Sequence, residues 1–528
     1  MSERTNLPQG WITCTLRDVV DDTVSGGGPT TGDEFLYVDI SSINNQTKRI
    51  EDAKRLPVAE APSRARQRLR SNDVVVSMTR PNLNAVALIT PDLEDAIGST
   101  GFCVLRPVIE SRYVYYRVQS LAFIEEMTGL VQGALYPAVR PRDVLAHHLP
   151  LPPLDEQRRI VRKIEELFTE LDAGVAALER VRANLKRYRA AVLKAAVEGA
   201  LTADWRAQHP DVEPAADLLD RILRERRDAW EQAELARYAK FGKTPPKGWQ
   251  GKYKEPAASD TTKLPELPTG WRWATVEQAS RSVRYGTSAK TSADVLGVPV
   301  LRMGNIQQGS LDLADLKYLP SNHAEFPELL LELGDLLFNR TNSPELVGKS
   351  AVYEGYPEPC SYASYLIAVR LGDGCLPKLL SINLNSFHGR AWIASVVSQQ
   401  VGQANVNGTK LQAFAFPLPP LAEQEQIVAE VERLLSVADD AEARVAAGLK
   451  RATRLRQSIL KRAFAGQLVP QDPTDEPVAA LLERITAERG HAATTGKAAR
   501  GAGREAAPRD ERVVAGDAGE RQLALDLQ

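Results

Sequence analysis

One long segment occurs twice in this chain, and that repeat limits what the chain can fold into. PLPPLDEQRRIV begins at Pro150 and PLPPLAEQEQIV begins at Pro417. The offset of 267 residues holds without a gap from Pro150/Pro417 to Leu201/Leu468. It sets Gln157 on Gln424, Leu167 on Leu434, Lys194 on Lys461 and Gly199 on Gly466. A repeat of this length is two copies of a whole domain-plus-helix unit, not a solenoid of short repeats.

The duplication continues on both sides. Leu7, Pro8, Gly10 and Trp11 recur as Leu267, Pro268, Gly270 and Trp271. Pro214, Ala216, Leu218, Leu219, Arg221 and Ile222 recur as Pro477, Ala479, Leu481, Leu482, Arg484 and Ile485. Each half therefore reads as a tryptophan-marked start, a globular segment, a long helix and a short amphipathic helix. The globular segments match faintly: Ile43 with Ile306, Pro57 with Pro320, and NDVVVSMTR at Asn72 with GDLLFNRTN at Gly334. A shared frame with divergent contents points to two recognition modules on one scaffold.

The expected fold class is α+β: two globular α/β domains separated by two long helices that form an antiparallel coiled coil, with an internal pseudo-twofold repeat. The first globular region is expected over 1–150 and the second over 267–416. The first long helix lies in 151–202, an amphipathic helix and linker in 203–266, and the second long helix with a short amphipathic helix in 417–489. Runs such as FLYVDI at Phe35 and DVVVSM at Asp73 are β-type and alternate with turn-rich stretches. VPVLRM at Val298 and DLLFN at Asp335 stand in the matching places. The Gly-, Pro- and Lys-rich stretch after Phe241 reads as a linker. The tail from about 490 is Ala-, Gly- and Arg-rich without apolar periodicity, and disorder is expected there. QLALDL at 522–527 is a small apolar island in it, weighed as a docking peptide against a tail without a role.

Each long helix carries a seven-residue apolar period. In the first, Ile164, Leu171, Leu178, Leu185 and Val192 form one line, and Leu167, Val181, Tyr188 and Ala195 form another, broken by Gly174. In the second, the lines are Val431, Ala438, Val445, Ala452, Ile459 and Leu434, Ala441, Gly448, Leu455. That is a coiled-coil seam, small enough in the second helix for close approach. Charge sets the direction. Residues 155–179 hold seven acidic and four basic side chains, whereas 180–198 hold six basic and one acidic. Residues 423–442 hold seven acidic and one basic, whereas 444–466 hold seven basic and no acidic. Antiparallel pairing sets acidic halves against basic halves and suits both helix dipoles. The alternative is that each helix packs only on its own globular domain. A 44-residue helix is ~66 Å long at 1.5 Å per residue, a length suited to holding two readers apart on a polymer.

Composition narrows the function. The four cysteines, Cys14, Cys103, Cys360 and Cys375, form no CxxC pair, which argues for a reducing compartment and against a zinc ribbon. No signal peptide opens the chain, and no apolar run reaches the ~18 residues of a membrane span, so a cytoplasmic protein with no membrane partner is expected. The net charge of −2 means that a DNA partner needs locally clustered basic residues or charge from another subunit.

These residues resemble the specificity subunit of a type I restriction–modification enzyme. The carriers are PLPPLxEQxxIV at Pro150 and Pro417, the helix ends LKAAVEGALT at Leu193 and LKRAFAGQLV at Leu460, and the two LPxGW openings. LRMGNIQQGSLDLADLKYL at Leu301 with GDLLFNRTNSPELVGKSAVY at Gly334 resembles a target recognition domain of that family. The first recognition segment matches less well. The resemblance implies two target recognition domains, each reading half of an asymmetric, interrupted site on double-stranded DNA. It implies helices that dock two methyltransferase subunits, which use S-adenosylmethionine on adenine, and restriction subunits that add ATP-driven translocation and cleavage. This chain itself would hold no active site and no cofactor.

The motifs agree. No Asn-Pro-Pro-Phe or Asp-Pro-Pro-Tyr tetrapeptide occurs. Gly348-Lys349-Ser350 lacks the phosphate-loop glycine five residues earlier, where Ser343 stands, and Gly242-Lys243-Thr244 fails likewise at Arg237. Gly26 to Gly28 precedes Pro29 and reads as a turn. His147 and His148 have no carboxylate or cysteine at ligand spacing.

The candidate base readers are Arg, Asn, Gln and Thr in loops, because Arg pairs with guanine and Asn or Gln with adenine. In the second domain they are Arg302, Asn305, Gln307 and Gln308, then Asn339, Arg340, Thr341, Asn342 and Lys349. In the first they are Asn44, Asn45, Gln46, Thr79, Arg80, Asn82 and Asn84. Ordinary turn chemistry is the alternative for each. Arg340 and Arg80 stand out because both follow strands in equivalent places. The run Arg64, Arg66, Arg68, Arg70 suits a solvated surface or phosphates better than bases. Two rivals remain: a methyltransferase or nuclease fused to its reader, which lacks motifs and room, and a coiled-coil scaffold or adaptor without DNA readout.

Overall fold

The computed structural model describes residues 7–21, 26–30, 32–131, 137–400 and 403–489. The tail read as disordered, with its apolar island at 522–527, lies outside the described residues. Two compact units divide the chain: Met1–Ala176 with Leu449–Gln528, and Ala177–Gly448. Each unit therefore combines one globular module, the first part of one long helix and the last part of the other.

The long helices run Leu154–Val197 and Leu421–Phe464, 44 residues each. Asp155, Glu156 and Glu423 sit in the first turns, and Lys194, Lys461 and Arg462 in the last, matched to the helix dipoles. Gly199 and Gly466, at φ +72° and +68°, end them in the left-handed conformation that glycine adopts at least cost.

Within each unit the two helix segments are antiparallel. In the second unit Leu178 lies against Gly448, Arg189 bonds Asp439 (2.5 Å) and Glu442 (2.9 Å), and Val192 and Ala196 pack with Ile427 and Val431. In the first, Arg456 pairs with Asp172 and covers the Phe168 ring, while Ile160 and Ile164 pack with Leu460 and Phe464. One expected line is largely covered: Val431, Ala438, Val445 and Ala452 are buried and Ile459 is half-buried. The second line is not. Val181, Tyr188 and Leu455 are exposed, because two helices alone cover only one stripe of each other. The alternative of packing on the helix's own domain also holds: Ile160, Val161, Ile164 and Phe168 share a core with Trp11, Tyr113 and Leu149.

The two modules share a set of core strand pairings. In each, the chain's first strand pairs antiparallel with the strand that leads into the helix: Ile12–Thr15 with His148–Leu151, and Arg272–Thr275 with Ala415–Leu418. In each, a central strand, Val74–Ser77 or Leu336–Asn339, lies between antiparallel neighbours. In each, a second sheet joins an early strand in parallel to a late one, Glu34–Val38 with Ile97–Ser99 and Val298–Leu301 with Ser361–Tyr362.

The faint alignment of NDVVV with GDLLF has a structural cause. Asn72 and Gly334 take positive φ, and the following aspartates are buried. Asp73 Oδ2 accepts from Arg70 N at 2.8 Å, and Asp335 Oδ2 from Glu332 N at 2.8 Å. Asp73 then receives both Arg106 Nε (2.9 Å) and Nη2 (2.8 Å), as Asp335 receives both from Arg370 (2.8 Å each). A bidentate fork of this kind orients the central strand in both modules.

The repeated motif residues are the anchors of each unit. Trp11 Nε1 donates to Glu156 Oε2 at 3.0 Å, and Trp271 Nε1 to Glu423 Oε2 at 2.8 Å. Gln157 donates to Pro152 O (2.9 Å) and accepts from Glu110 N (3.2 Å). Gln424 donates to Pro419 O (3.1 Å) and Gly374 O (2.9 Å) and accepts from Leu376 N (2.9 Å). The opening of one copy is then met by the helix end of the other. A Cβ on Gly199 would reach Pro268 Cγ at 2.8 Å, and one on Gly466 would reach Pro8 Cγ at 2.2 Å. The short helices follow the same exchange. Leu218, Leu219 and Ile222 enter the second module's core, and Val478, Leu481 and Ile485 the first's.

Candidate nucleic-acid interface

In the second module the loop after the central strand is pinned at both ends. Asn339 N donates to Lys349 O (2.8 Å) and Gly348 N to Asn339 O (2.7 Å). The Asn339 side chain is fully buried and reaches only Leu346 O, at 3.3 Å. Thr341 is buried and accepts from Asn405 Nδ2 at 2.6 Å. Asn342 Oδ1 accepts from Ser343 N at 2.8 Å. Arg340 and Lys349 are half-exposed. Gly348, at φ +84° against Ile393, belongs to this turn.

Arg340 is the most constrained of these. Its N–H donates to Tyr365 O (3.0 Å), and its carbonyl accepts from Val406 N (2.9 Å). Its guanidinium lies 4.9 Å from the Tyr285 ring centroid, and Nη1 donates to Ser364 O at 3.4 Å. Nε is buried without a partner among the described residues. Tyr285 is itself fixed, because its hydroxyl accepts from Gly408 N at 2.7 Å. Tyr285 and Tyr365 are 44% and 48% exposed, large aromatics left in solvent beside a held guanidinium. The sequence reading missed Tyr285, Ser364 and Tyr365.

The other candidate loop meets the first through the segment Ala363–Ser364: Ala363 N donates to Leu301 O at 2.9 Å. Arg302 is occupied by Asp315, through Oδ2 (2.8 Å) and O (2.9 Å). Asn305 is buried and ties Arg302 N (2.8 Å) to Asp312 O (2.8 Å). Both side chains hold the loop's shape. Gln307 and Gln308 are exposed at the hairpin tip and line a cleft of about 880 Å³ with Arg189, Glu432 and Asp439.

In the first module Arg80 is exposed and left-handed (φ +49°), with its N–H on Pro137 O at 2.8 Å. A non-glycine residue held there costs about 1–2 kcal/mol. Asn82 is exposed beside it, and Thr79 is half-buried. Asn84 is buried, donates to Val118 O (2.8 Å), and its carbonyl accepts from Lys48 Nζ (2.5 Å). Burial pushes the Lys48 ammonium down to about 8. Asn44 folds its own hairpin through Glu51 and Gln46 N, both at 2.8 Å, while Asn45 and Gln46 are exposed. Arg64, Arg66, Arg68 and Arg70 are all exposed, alternating along and beyond the edge strand Ala65–Arg68.

His147 is enclosed by a different set. Nδ1 lies 2.7 Å from Glu126 Oε2, and Arg117 Nε donates to Nε2 at 3.1 Å, which fixes a neutral ring. Burial, aided by Arg117, holds its pKa below the ordinary histidine range against the pull of Glu126. The unfolded chain therefore takes up the proton first, and stability falls as pH drops below about 6.5. Melting of the wild type between pH 7.5 and 5.5 should show this slope, and His147→Gln should flatten it. Among the described residues no group of His, Cys, Asp or Glu forms a metal site. None of the described helices is long and apolar enough to cross a membrane.

Shared core strand pairings and repeated anchor residues make the chain a structural duplication. The family described as type I restriction modification DNA specificity domain matches residues 287–451, within the half that carries the stronger resemblance. The specificity subunit of the type I restriction enzyme EcoKI from Escherichia coli K12 is 27% identical over 516 residues, covering 93% of this chain and 98% of that one. The StySPI specificity subunit from Salmonella potsdam is 26% identical, covering 92% and 97%. A chain solved in work on complex assembly and conformational transition of the type I R-M system superposes with a TM-score of 0.60 at 26% identity, covering 88% and 99%. Over nearly its whole length the chain is similar to specificity subunits of type I restriction enzymes.

Proposed function

We propose that this subunit reads an asymmetric, two-part site on double-stranded DNA, with the module in 1–150 reading one half and the module in 267–416 the other. One observation carries the reading. The modules share the pairing of their core strands, a buried Asp–Arg fork and a tryptophan anchor, yet carry different residues in the candidate loops. Conserving the frame while varying those loops is what two independent readers need.

In this reading Arg340 and Arg80 contact bases, with Asn342, Lys349, Thr79, Asn82, Gln307 and Gln308 at the DNA surface. Arg302, Asn305, Asn339, Thr341 and Asn84 shape the loops that present them. The long helices dock two methyltransferase subunits, and restriction subunits join that assembly. Exposed Val181, Tyr188 and Val437, the last 61% exposed, give the second unit's helices apolar surface for such a partner.

The test is an exchange. A subunit whose residues 271–416 are replaced by those of a relative, assembled with methyltransferase subunits, should select duplexes altered in one half only. Change in both halves together would defeat the two-module reading. Failure of the wild-type assembly to prefer any duplex over random DNA would favour the scaffold rival.

A further inference from the structure

The segment read as a linker is not a free tether. The helix Ala215–Lys240 leaves the second module's core after Ile222 and continues for roughly five more turns at 3.6 residues each. The chain then folds back along it. Trp249 stacks on Trp230 with centroids 5.9 Å apart, and Tyr253 packs on Trp230 at 5.3 Å. Arg226 Nη1 donates to the Tyr253 hydroxyl at 2.9 Å, and the Arg226 and Arg227 guanidinium groups both lie over its ring. Ala257 then closes the strap on the module, its N–H on Glu277 (3.2 Å) and its carbonyl on Thr275 Oγ1 (3.0 Å).

The strap so fastened carries Lys243, Lys247, Lys252 and Lys254, with no carboxylate from Phe241 to Lys254. All four are exposed, and none is in an ion pair among the described residues. In a chain of net charge −2 this is a fixed, unneutralised basic strip. Among the described residues it has no counterpart in the first unit, whose short helix is described over 478–489.

Its place in the module suggests the ligand. Arg226 Nε donates to Ser280 O at 3.2 Å, at the start of the strand Ser280–Tyr285 whose other end carries the platform under Arg340. That strand spans about 17 Å at 3.4 Å per residue, so the helix that fastens the strap and the Arg340 platform are set on one rigid element of the module. Lysines are point charges on long stems, suited to phosphates and not to bidentate base recognition.

We propose that the strap is a DNA phosphate-backbone contact, flanking the half-site read by the second module and adding affinity without sequence information. It rests on the DNA-reading function above. The test measures affinity for a selected and a random duplex over a range of salt, with the full-length chain assembled with methyltransferase subunits. It compares the wild type with the quadruple variant K243Q/K247Q/K252Q/K254Q. Each phosphate contact contributes about 0.9 to the slope of log K against log salt. The variant's slope should therefore be shallower by about 3–4, equally on both duplexes, with the selected-to-random ratio unchanged. An unchanged slope overturns the proposal, as does a fall in the ratio, which would make the lysines base readers. Loss of subunit assembly with the slope intact overturns it in favour of an acidic protein surface. If the wild type shows no duplex preference, base reading fails, yet the slopes still decide the strap.

Discussion

Replacing Glu423 by alanine should unfold the second unit well before the first. The Glu423 side chain is fully buried and accepts from Trp271 Nε1 (2.8 Å), Thr202 Oγ1 (2.6 Å) and Arg206 through Nε (3.0 Å) and Nη2 (2.8 Å). It ties the opening of the second module to the segment that follows the first long helix. Removing it leaves the Arg206 charge, four-fifths buried, without a counter-ion, held by Gly199 O (2.7 Å) and the Trp271 ring but by no carboxylate. Losing one member of a buried pair costs about 3–5 kcal/mol, near 10 °C in melting temperature for a unit of this size at roughly 2–4 °C per kcal/mol. Hydrogen exchange would localise the opening to 177–448. Equal loosening of both units would show that the carboxylate does not anchor its own.

The equivalent substitution in the first unit should behave differently. Glu156 also receives a tryptophan, but its other partner is the neutral Gln471 Nε2 at 3.3 Å. Burial holds its pKa above the ordinary carboxylate range, opposed by those hydrogen bonds. Glu156→Ala leaves the Trp11 N–H without its acceptor but strands no cation, so it should cost about 1–3 kcal/mol, less than the loss of Glu423. Two aligned residues thus differ in energetic weight through what the other copy's helix end brings to each.

That contrast marks what the sequence disclosed. The repeat was visible because its residues bond to each other: tryptophan to glutamate, glutamine to the proline carbonyls. The antiparallel direction was visible because charge is segregated within each helix, and Arg189 meets Asp439 and Glu442 as that segregation requires. Heptad periodicity, however, cannot say how many partners a helix has, so Val181, Tyr188 and Leu455 were assigned to a seam that leaves them exposed. The strap was invisible because Gly, Pro and Lys composition describes a tether, while the Trp230–Trp249 contact that fastens it is a tertiary one. Among the base-reading candidates, residue type could not separate Asn305 and Asn339, buried in their own loops, from Asn82 and Gln307, which face solvent. The Tyr285 platform lies 55 residues before Arg340 and has no signature of its own.

Arg340→Ala should relax recognition at one position of one half-site and leave the other half-site intact. A guanidinium that pairs with guanine is worth ~1–3 kcal/mol of discrimination, about a 5- to 150-fold loss of selectivity. The surroundings argue for a large value. The backbone is pinned on both sides, the guanidinium is stacked on Tyr285, and Nη1 is steadied by Ser364, so little side-chain freedom is left to lose on binding. Arg340→Lys keeps the charge but not the planar fork, and should recover affinity without recovering selectivity. Tyr285→Ala removes the platform and should lower selectivity at the same base pair. The double variant should be little worse than Arg340→Ala alone, because Tyr285 acts through Arg340. Competition among duplexes substituted one base pair at a time reads all four proteins on one scale. A uniform loss across every duplex would place Arg340 on a phosphate, and additive losses in the double variant would give Tyr285 a DNA contact of its own.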